Sequence, residues 1–212
     1  MKFSNFRKQV VKVKNLPLPG EASHYKMMPE TQRLLRQKAK SIKQKAKRAA
    51  VMAIFYPKNG DTYLLLTERK EYEGVHSKQI GFPGGKVEKN DANLLETAKR
   101  ETYEEVGILA KDLEVIKPLS EIYIPPSNFL VQPFLGIYPN VQPFAIDPIE
   151  VETLVEVALI DFLNDNNLTK QRLTTSYAHN ILVPAFTLNG YTVWGATAMM
   201  LSEVKDLLEQ VL

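Results

Sequence analysis

The chain has 212 residues, 44% of them hydrophobic, so it can bury one sizeable core, and one domain with an appendage is expected rather than two full domains. There is no cysteine, which excludes disulfides, thiol catalysis and cysteine-ligated zinc, and the three histidines (His24, His76, His179) show no metal-ligand spacing. The net charge is only +3, yet eight Lys/Arg and no acid fall between Arg33 and Arg48, leaving about −5 for the remainder: a basic surface beside an acidic site.

The opening MKFSNFRKQVVKVK lacks the apolar core of a signal peptide, and no apolar run approaches the roughly 18–20 residues of a membrane span. A soluble, cytoplasmic protein without a membrane partner is expected. Residues 1–14 show some alternation of the β type, and LPLPG (16–20) breaks any regular element. From Pro29 to about Arg48, Leu34, Leu35, Lys38 and Ile42 fit one side of a helix whose remainder is mostly basic. AAVMAIFY (49–56) reads as a buried strand that turns at PKNGD and returns as TYLLLTER (62–69), a hairpin.

GFPGGK (81–86) is a rigid Gly/Pro loop, followed by a helix from about Ala92 to Val106 with Asp91 near its N-cap and Gly107 at its C-cap. Apolar stretches of β character follow around 113–124, 129–138 and 151–159, with a short helix at ALIDFLND (158–165). HNILVPAF and YTVWG form a second hairpin across Asn189-Gly190, and ATAMMLSEVKDLLEQVL is an amphipathic C-terminal helix. Helices and strands mix without strict alternation, so an α/β (α+β) architecture is expected, a mixed β-sheet between helices. The domain division is a basic, partly helical N-terminal extension at 1–48 and a main domain at 49–212.

The helix at 92–106 carries the chemistry. RETYEEVG (100–107) places Glu101, Glu104 and Glu105 inside one arc of roughly 100°. Carboxylates near a helix C-terminus oppose its dipole, and each like-charge pair costs about 0.2–0.5 kcal/mol more. A solvated acidic face is the bland reading. A bound hard cation is the other, since Mg²⁺ takes oxygen ligands and keeps open positions for phosphate and water. Arg100, four residues before Glu104, is placed to fix that carboxylate, while Leu95, Ala98 and Thr102 can face the core. The Gly84-Gly85 pair lets backbone approach closely, so a carbonyl there could complete the ligand set.

Residues 85–108 resemble the Nudix box, in which G, five residues, E and seven residues precede R-E-U-x-E-E-x-G-U, with U a bulky aliphatic residue. Gly85, Asp91, Arg100, Glu101, Glu104, Glu105, Gly107 and Ile108 take its places. Asp91 stands for Glu, Thr102 for the aliphatic, and eight residues rather than seven separate Asp91 from Arg100. The first and third departures resemble the coenzyme A pyrophosphatase branch. So does LLTERKEYEGVHSKQIGFPGG (65–85), which matches a second motif of that branch at Leu65, Leu66, Thr67, Arg69 and Phe82 to Gly85. Lys70, Gly74 and Lys78 depart from it, and Gly74 removes an arginine that Lys78 or Lys70 would have to replace.

The resemblance implies a Nudix-type α/β/α sandwich and a metal-dependent hydrolase of a diphosphate linked to another moiety. Coenzyme A or acyl-coenzyme A is the leading substrate, and NADH, ADP-ribose or another nucleotide the alternative. It implies Glu101, Glu104 and Glu105 as ligands of Mg²⁺ or Mn²⁺, with the Gly85 carbonyl, and Arg100 as their orienting group. The general base is a box glutamate or a later acid, and of Glu150 and Glu152 the former matches the branch better. Arg69, Lys78 and Gly84 are the candidate substrate contacts, with a surface ion pair to Glu68 or Glu71 the plain reading of Arg69. Trp194, Met199 and Met200 read as core, and His76 as an exposed loop residue.

The stretch 33–48 reads as a solvated helix face, an electrostatic funnel for an anionic nucleotide, or a nucleic-acid site. It contains no aromatic for stacking, so a nucleic-acid partner is not expected. A homodimer is compatible with the resemblance. A binding or regulatory protein of the same fold without catalysis is the reading from another class, and survival of all three box glutamates counts against it.

Overall fold

The computed structural model describes residues 1–29, 46–70, 79–175 and 178–212. Phe3, Phe6, Val10 and Val13 recur every three or four residues and all point into the core, at 8%, 0%, 0% and 0% exposure. That spacing is helical. The segment expected to alternate as a strand is therefore helix α1 (Phe3–Val10), continued by a 3₁₀ turn over Val11–Asn15. A second short helix, α2, covers Glu21–Lys26. Most of the helix expected at 29–48 lies outside the described residues, but its end is corrected: Lys47 and Arg48 already belong to strand β1 (Lys47–Lys58). A parallel partner explains this, since β7 (Phe129–Ile137) pairs with β1 from Lys47 to Phe55.

β1 turns at Asn59-Gly60 into β2 (Asp61–Arg69), as the hairpin pattern predicts. The GFPGGK segment is more ordered than a loop: β3 (Ile80–Gly81) pairs with the far end of β2, and β4 (Gly84–Lys86) pairs with the start of β1. β2 and β4 share one edge of β1, one at residues 54–58 and the other at 49–51. The sheet forks between them, where the Met52 amide donates to the Pro83 carbonyl at 2.9 Å.

Helix α3 (Leu94–Val106) follows, then β5 (Glu114–Pro118), β6 (Ile122–Ile124), β7 and β8 (Val151–Ala158). β5 and β6 pair with β7, and β8 with β2, all antiparallel, so the β1–β7 pair makes the sheet mixed. After the short helix α4 (Leu159–Leu163) comes a strand absent from the expectations, β9 (Leu168–Thr175). Six of the eight residues of its sequence LTKQRLTT are polar, which hid it. With β10 (Ala178–Leu188) and β11 (Tyr191–Trp194) it makes a separate three-stranded antiparallel sheet.

Alternation along β1 divides the core. Met52, Ile54 and Tyr56 face one side with Ala98 and Val106 of α3. Ala53 and Phe55 face the other with α1 and the C-terminal helix α5 (Gly195–Glu209). The result is the α/β/α sandwich expected. Met199 and Met200 are core, as expected, but α5 is less one-sided than its pattern. Glu203 and Lys205 are buried too: α2 lies over Glu203, with Ser23 donating to Asp206 and His24 Nε2 3.2 Å from Glu203 Oε2, while Lys205 Nζ donates to the Leu163 carbonyl at the end of α4. No described helix is long and apolar enough to cross a membrane.

Candidate active site

Helix α3 begins two residues later than expected. Asn93, not Asp91, is its cap, accepting from the amides of Leu95 and Glu96 at 2.9 and 3.1 Å. Asp91 does a different job. Its carboxylate accepts Nε and Nη2 of Arg100 at 2.9 and 3.0 Å, the Thr97 hydroxyl at 2.9 Å and the Glu88 amide at 2.8 Å. Arg100 beside it holds this carboxyl well below the usual range. The same guanidinium reaches the Lys86 carbonyl at 3.0 Å, Glu104 at 2.7 Å and Glu101 at 3.0 Å. Arg100 is thus a rivet between the loop before α3 and two of its acids.

The last turns of α3 stand over the fork in the sheet. Gly85 is at the closest approach, where a Cβ would collide with the Glu101 carboxylate. The neighbouring Gly84 amide donates to Glu105 Oε2 at 3.2 Å. Arg69, at the end of β2, turns toward the same group, with Nη2 3.6 Å from Glu105 Oε1. Its partner is therefore a box carboxylate rather than the surface acid Glu68.

Glu101, Glu105 and the exposed Glu150 each bring a carboxylate oxygen within 4.8 Å of the others. Glu105 is 1% exposed, and burial, with further push from Glu101 and Glu150, raises its carboxyl to about 7. Burial raises Glu101 as well, against the pull of Arg100. Three hard oxygen donors crowded at one point, two of them resisting ionisation, fit a divalent cation that would neutralise them together. Glu104 lies outside this threesome, half-exposed and tied to Arg100. Glu152 pairs with Lys70 at 2.5 Å. Gly74, His76 and Lys78 lie outside the described residues.

A surface recess of about 480 Å³ lies along another flank of α3, lined by Asp91, Lys99, Arg100, Tyr103 and Leu109; it includes none of the three clustered glutamates. The site is therefore located by its donors rather than by this recess. Sequence reasoning missed the strap that carries Glu150. Ala145 and Asp147 donate their amides to the carbonyls of Val106 and Glu105, both at 3.1 Å. Gly107, left-handed at φ 77°, has no Cβ to strike Ala145 there. The Asp147-Pro148 dipeptide, a turn signal three residues before Glu150, marked the place.

A family model described as the NUDIX domain matches residues 46–174. A Salmonella dublin protein described as the uncharacterized Nudix hydrolase NudL is 32% identical over 169 residues, covering 78% of this chain and 83% of its own. Nudix hydrolase 15, mitochondrial, of Arabidopsis thaliana is 32% identical over 164 residues, covering 74% of this chain and 57% of the plant protein. Among solved structures, the Nudix hydrolase RenU from M. smegmatis superposes with a TM-score of 0.54 at 13% identity, over 79% of this chain and 88% of that one. The likeness extends from the box to the sheet around it, and the chain belongs to the Nudix hydrolase family.

Proposed function

We propose that the protein hydrolyses the diphosphate linkage of a nucleoside-diphosphate derivative, with coenzyme A or acyl-coenzyme A as leading substrate. The products would be adenosine 3′,5′-bisphosphate and phosphopantetheine or its acyl form. The observation that carries the reading is the convergence of Glu101, Glu105 and Glu150 beside Arg69: carboxylates of the kind a divalent cation takes meet a guanidinium of the kind that binds phosphate oxygens.

Glu101, Glu105 and the Gly85 carbonyl, with Glu104 on the same helical face, would hold Mg²⁺ or Mn²⁺. Bound there, the cation supplies charge neutralisation on phosphoryl oxygens. Arg100 fixes the carboxylates, and the Gly84 amide holds Glu105 toward the fork. Arg69, together with Lys78, binds phosphate oxygens. Glu150 takes the proton of the attacking water as that oxygen bonds to phosphorus and the bridging P–O bond breaks.

The departure at Gly74 favours a second reading within the same class, cleavage of NADH or ADP-ribose. The proposal includes a cytoplasmic setting, a homodimer, and an extension at 1–48 appended to a catalytic domain at 49–212.

Product analysis by chromatography and mass decides. Coenzyme A, acetyl-coenzyme A, NADH, ADP-ribose and 8-oxo-dGTP are each incubated with protein and Mg²⁺ or Mn²⁺, with chelator as control. Metal-dependent release of adenosine 3′,5′-bisphosphate supports the first reading, and cleavage of another member with coenzyme A untouched supports the second. No turnover of any, chelated or not, overturns both and favours a binding protein.

A further inference from the structure

Glu150 is exposed and sits on an irregular segment, so something must hold its carboxylate against Glu101 and Glu105. The segment before it, DPIE (147–150), is laced to both elements that bear the site. Asp147 donates its amide to the Glu105 carbonyl at 3.1 Å, and its own carbonyl accepts the Val151 amide at 3.0 Å. Its side-chain Oδ1 accepts the Ile149 amide at 2.8 Å, closing an Asx turn over Pro148. On the other side, the Glu150 carbonyl accepts the Lys70 amide at 3.0 Å, one residue beyond Arg69.

We propose that Asp147 is a positioning residue for the hydrolysis: its side chain folds the turn that presents Glu150 to the carboxylate cluster. The inference rests on the reading of Glu150 as a working member of the site. Three backbone bonds fix where the strap starts, ends and closes on itself, but none of the three engages the 148–149 peptide, and they leave its orientation open. The Asp147 carboxylate closes that choice. Ile149 is 80% exposed, so no packing substitutes for the bond. The turn needs an acceptor at this atom, not a charge, and asparagine offers the same oxygen.

The test uses the full chain with Mn²⁺ and coenzyme A, or ADP-ribose if coenzyme A is not cleaved, in the variants Asp147→Ala, Asp147→Asn and Glu150→Gln and the double variant Asp147→Ala/Glu150→Gln. Asp147→Ala is expected to lower kcat about tenfold or more with KM within about twofold, since misplacing a reacting group acts on the chemical step. Asp147→Asn should return kcat to within about twofold of the parent, because the acceptor is kept. In the Glu150→Gln background, Asp147→Ala should cost nothing further, as the two act through one carboxylate. Independently of turnover, Mn²⁺ titration by electron paramagnetic resonance should show about threefold weaker binding for Glu150→Gln and for Asp147→Ala, but not for Asp147→Asn, because a nearby negative charge is lost or moved.

If Glu150→Gln impairs both readouts while Asp147→Ala matches the parent, the inference is overturned and the reading of Glu150 stands. If Glu150→Gln itself matches the parent, that reading falls and the inference with it. An Asp147→Asn variant as impaired as Asp147→Ala overturns the inference in favour of a direct role for the charge. Should Asp147→Ala fail to fold, Ile149→Pro takes its place by removing the amide that the Asp147 carboxylate accepts, and parent-like kinetics there overturn the inference equally.

Discussion

Arg100 grips Asp91 with two nitrogens across a gap of nine positions, at 2.9 and 3.0 Å, while a third nitrogen holds Glu104 at 2.7 Å. The planar fork of arginine makes both engagements possible at once, and a lysine ammonium reaches one of them. Arg100→Lys is therefore expected to lower kcat by about tenfold to a hundredfold with a smaller change in KM, because the carboxylates lose their fixed placement. Steady-state kinetics beside a thermal melt check this, and an unchanged kcat in a folded variant removes the orienting role.

Gly85 leaves no room for a methyl group beside Glu101. Gly85→Ala should displace that carboxylate and reduce kcat by about a hundredfold, because misplacement by about 1 Å is enough for such a loss. The mainly local shift should leave the far-ultraviolet spectrum intact. Near-parent activity in this variant would mean that Glu101 is free to relocate at no cost.

Glu105 makes the metal-free protein sensitive to pH. Its carboxyl is raised to about 7 from a reference of 4.5, so between those values the folded state holds a proton that the unfolded state has released. Its contribution is fully present below about pH 4.5 and is lost as pH rises through about 7. The size is on the order of 3 kcal/mol. Glu105→Gln should therefore be more stable than the parent at pH 8 in chelator and lose that advantage at pH 5. Urea unfolding at the two pH values measures it. Mg²⁺ should narrow the difference at pH 8, since it binds the parent better.

Glu203, on α5, is fully buried and accepts from Ser120 Oγ at 2.6 Å, the Ser120 amide at 3.1 Å and the Gly20 amide at 3.3 Å, beside His24 at 3.2 Å. Replacement by leucine leaves these donors unpaired and should destabilise the fold by about 2–4 kcal/mol while leaving kcat of the folded protein unchanged. Burial pushes this carboxyl up, but the bonds from His24 and Ser120 carry it below 4.5. Its contribution is present above that value and disappears as pH falls, so the gap between parent and variant should close in acid. Chemical denaturation at pH 7 and pH 3.5 tests both statements.

Periodic local patterns were legible in the sequence. The β1–β2 hairpin, the helix that ends at Gly107, the Asn189-Gly190 turn and α5 all announce themselves in their own residues. Misreadings came where local and tertiary signals compete. The lysines between Phe3, Phe6, Val10 and Val13 imitate alternation, and only the phenylalanine spacing shows the helix. Lys47 and Arg48 continue a basic run in sequence but pair with Phe129 and Leu130 in space. The box glutamates could be found by spacing, whereas the meeting of Glu150 with Glu105 depends on backbone bonds across more than forty residues, which no side-chain pattern encodes. Asp91 was found as a special acid but given a capping role that belongs to Asn93.

The ring of Phe6 sits 5.0 Å from that of Phe55 in the middle of β1, and α5 closes the same core from the other end of the chain. Someone preparing the matched span 46–174 alone, as a minimal catalytic fragment, would strip both lids from the far side of the sheet. Such a fragment would keep every clustered glutamate and Arg100 yet expose Phe55 and Phe162 to water. It should be recovered as an insoluble or aggregating product, whereas a chain that keeps residues 1–29 and 195–209 retains both covers.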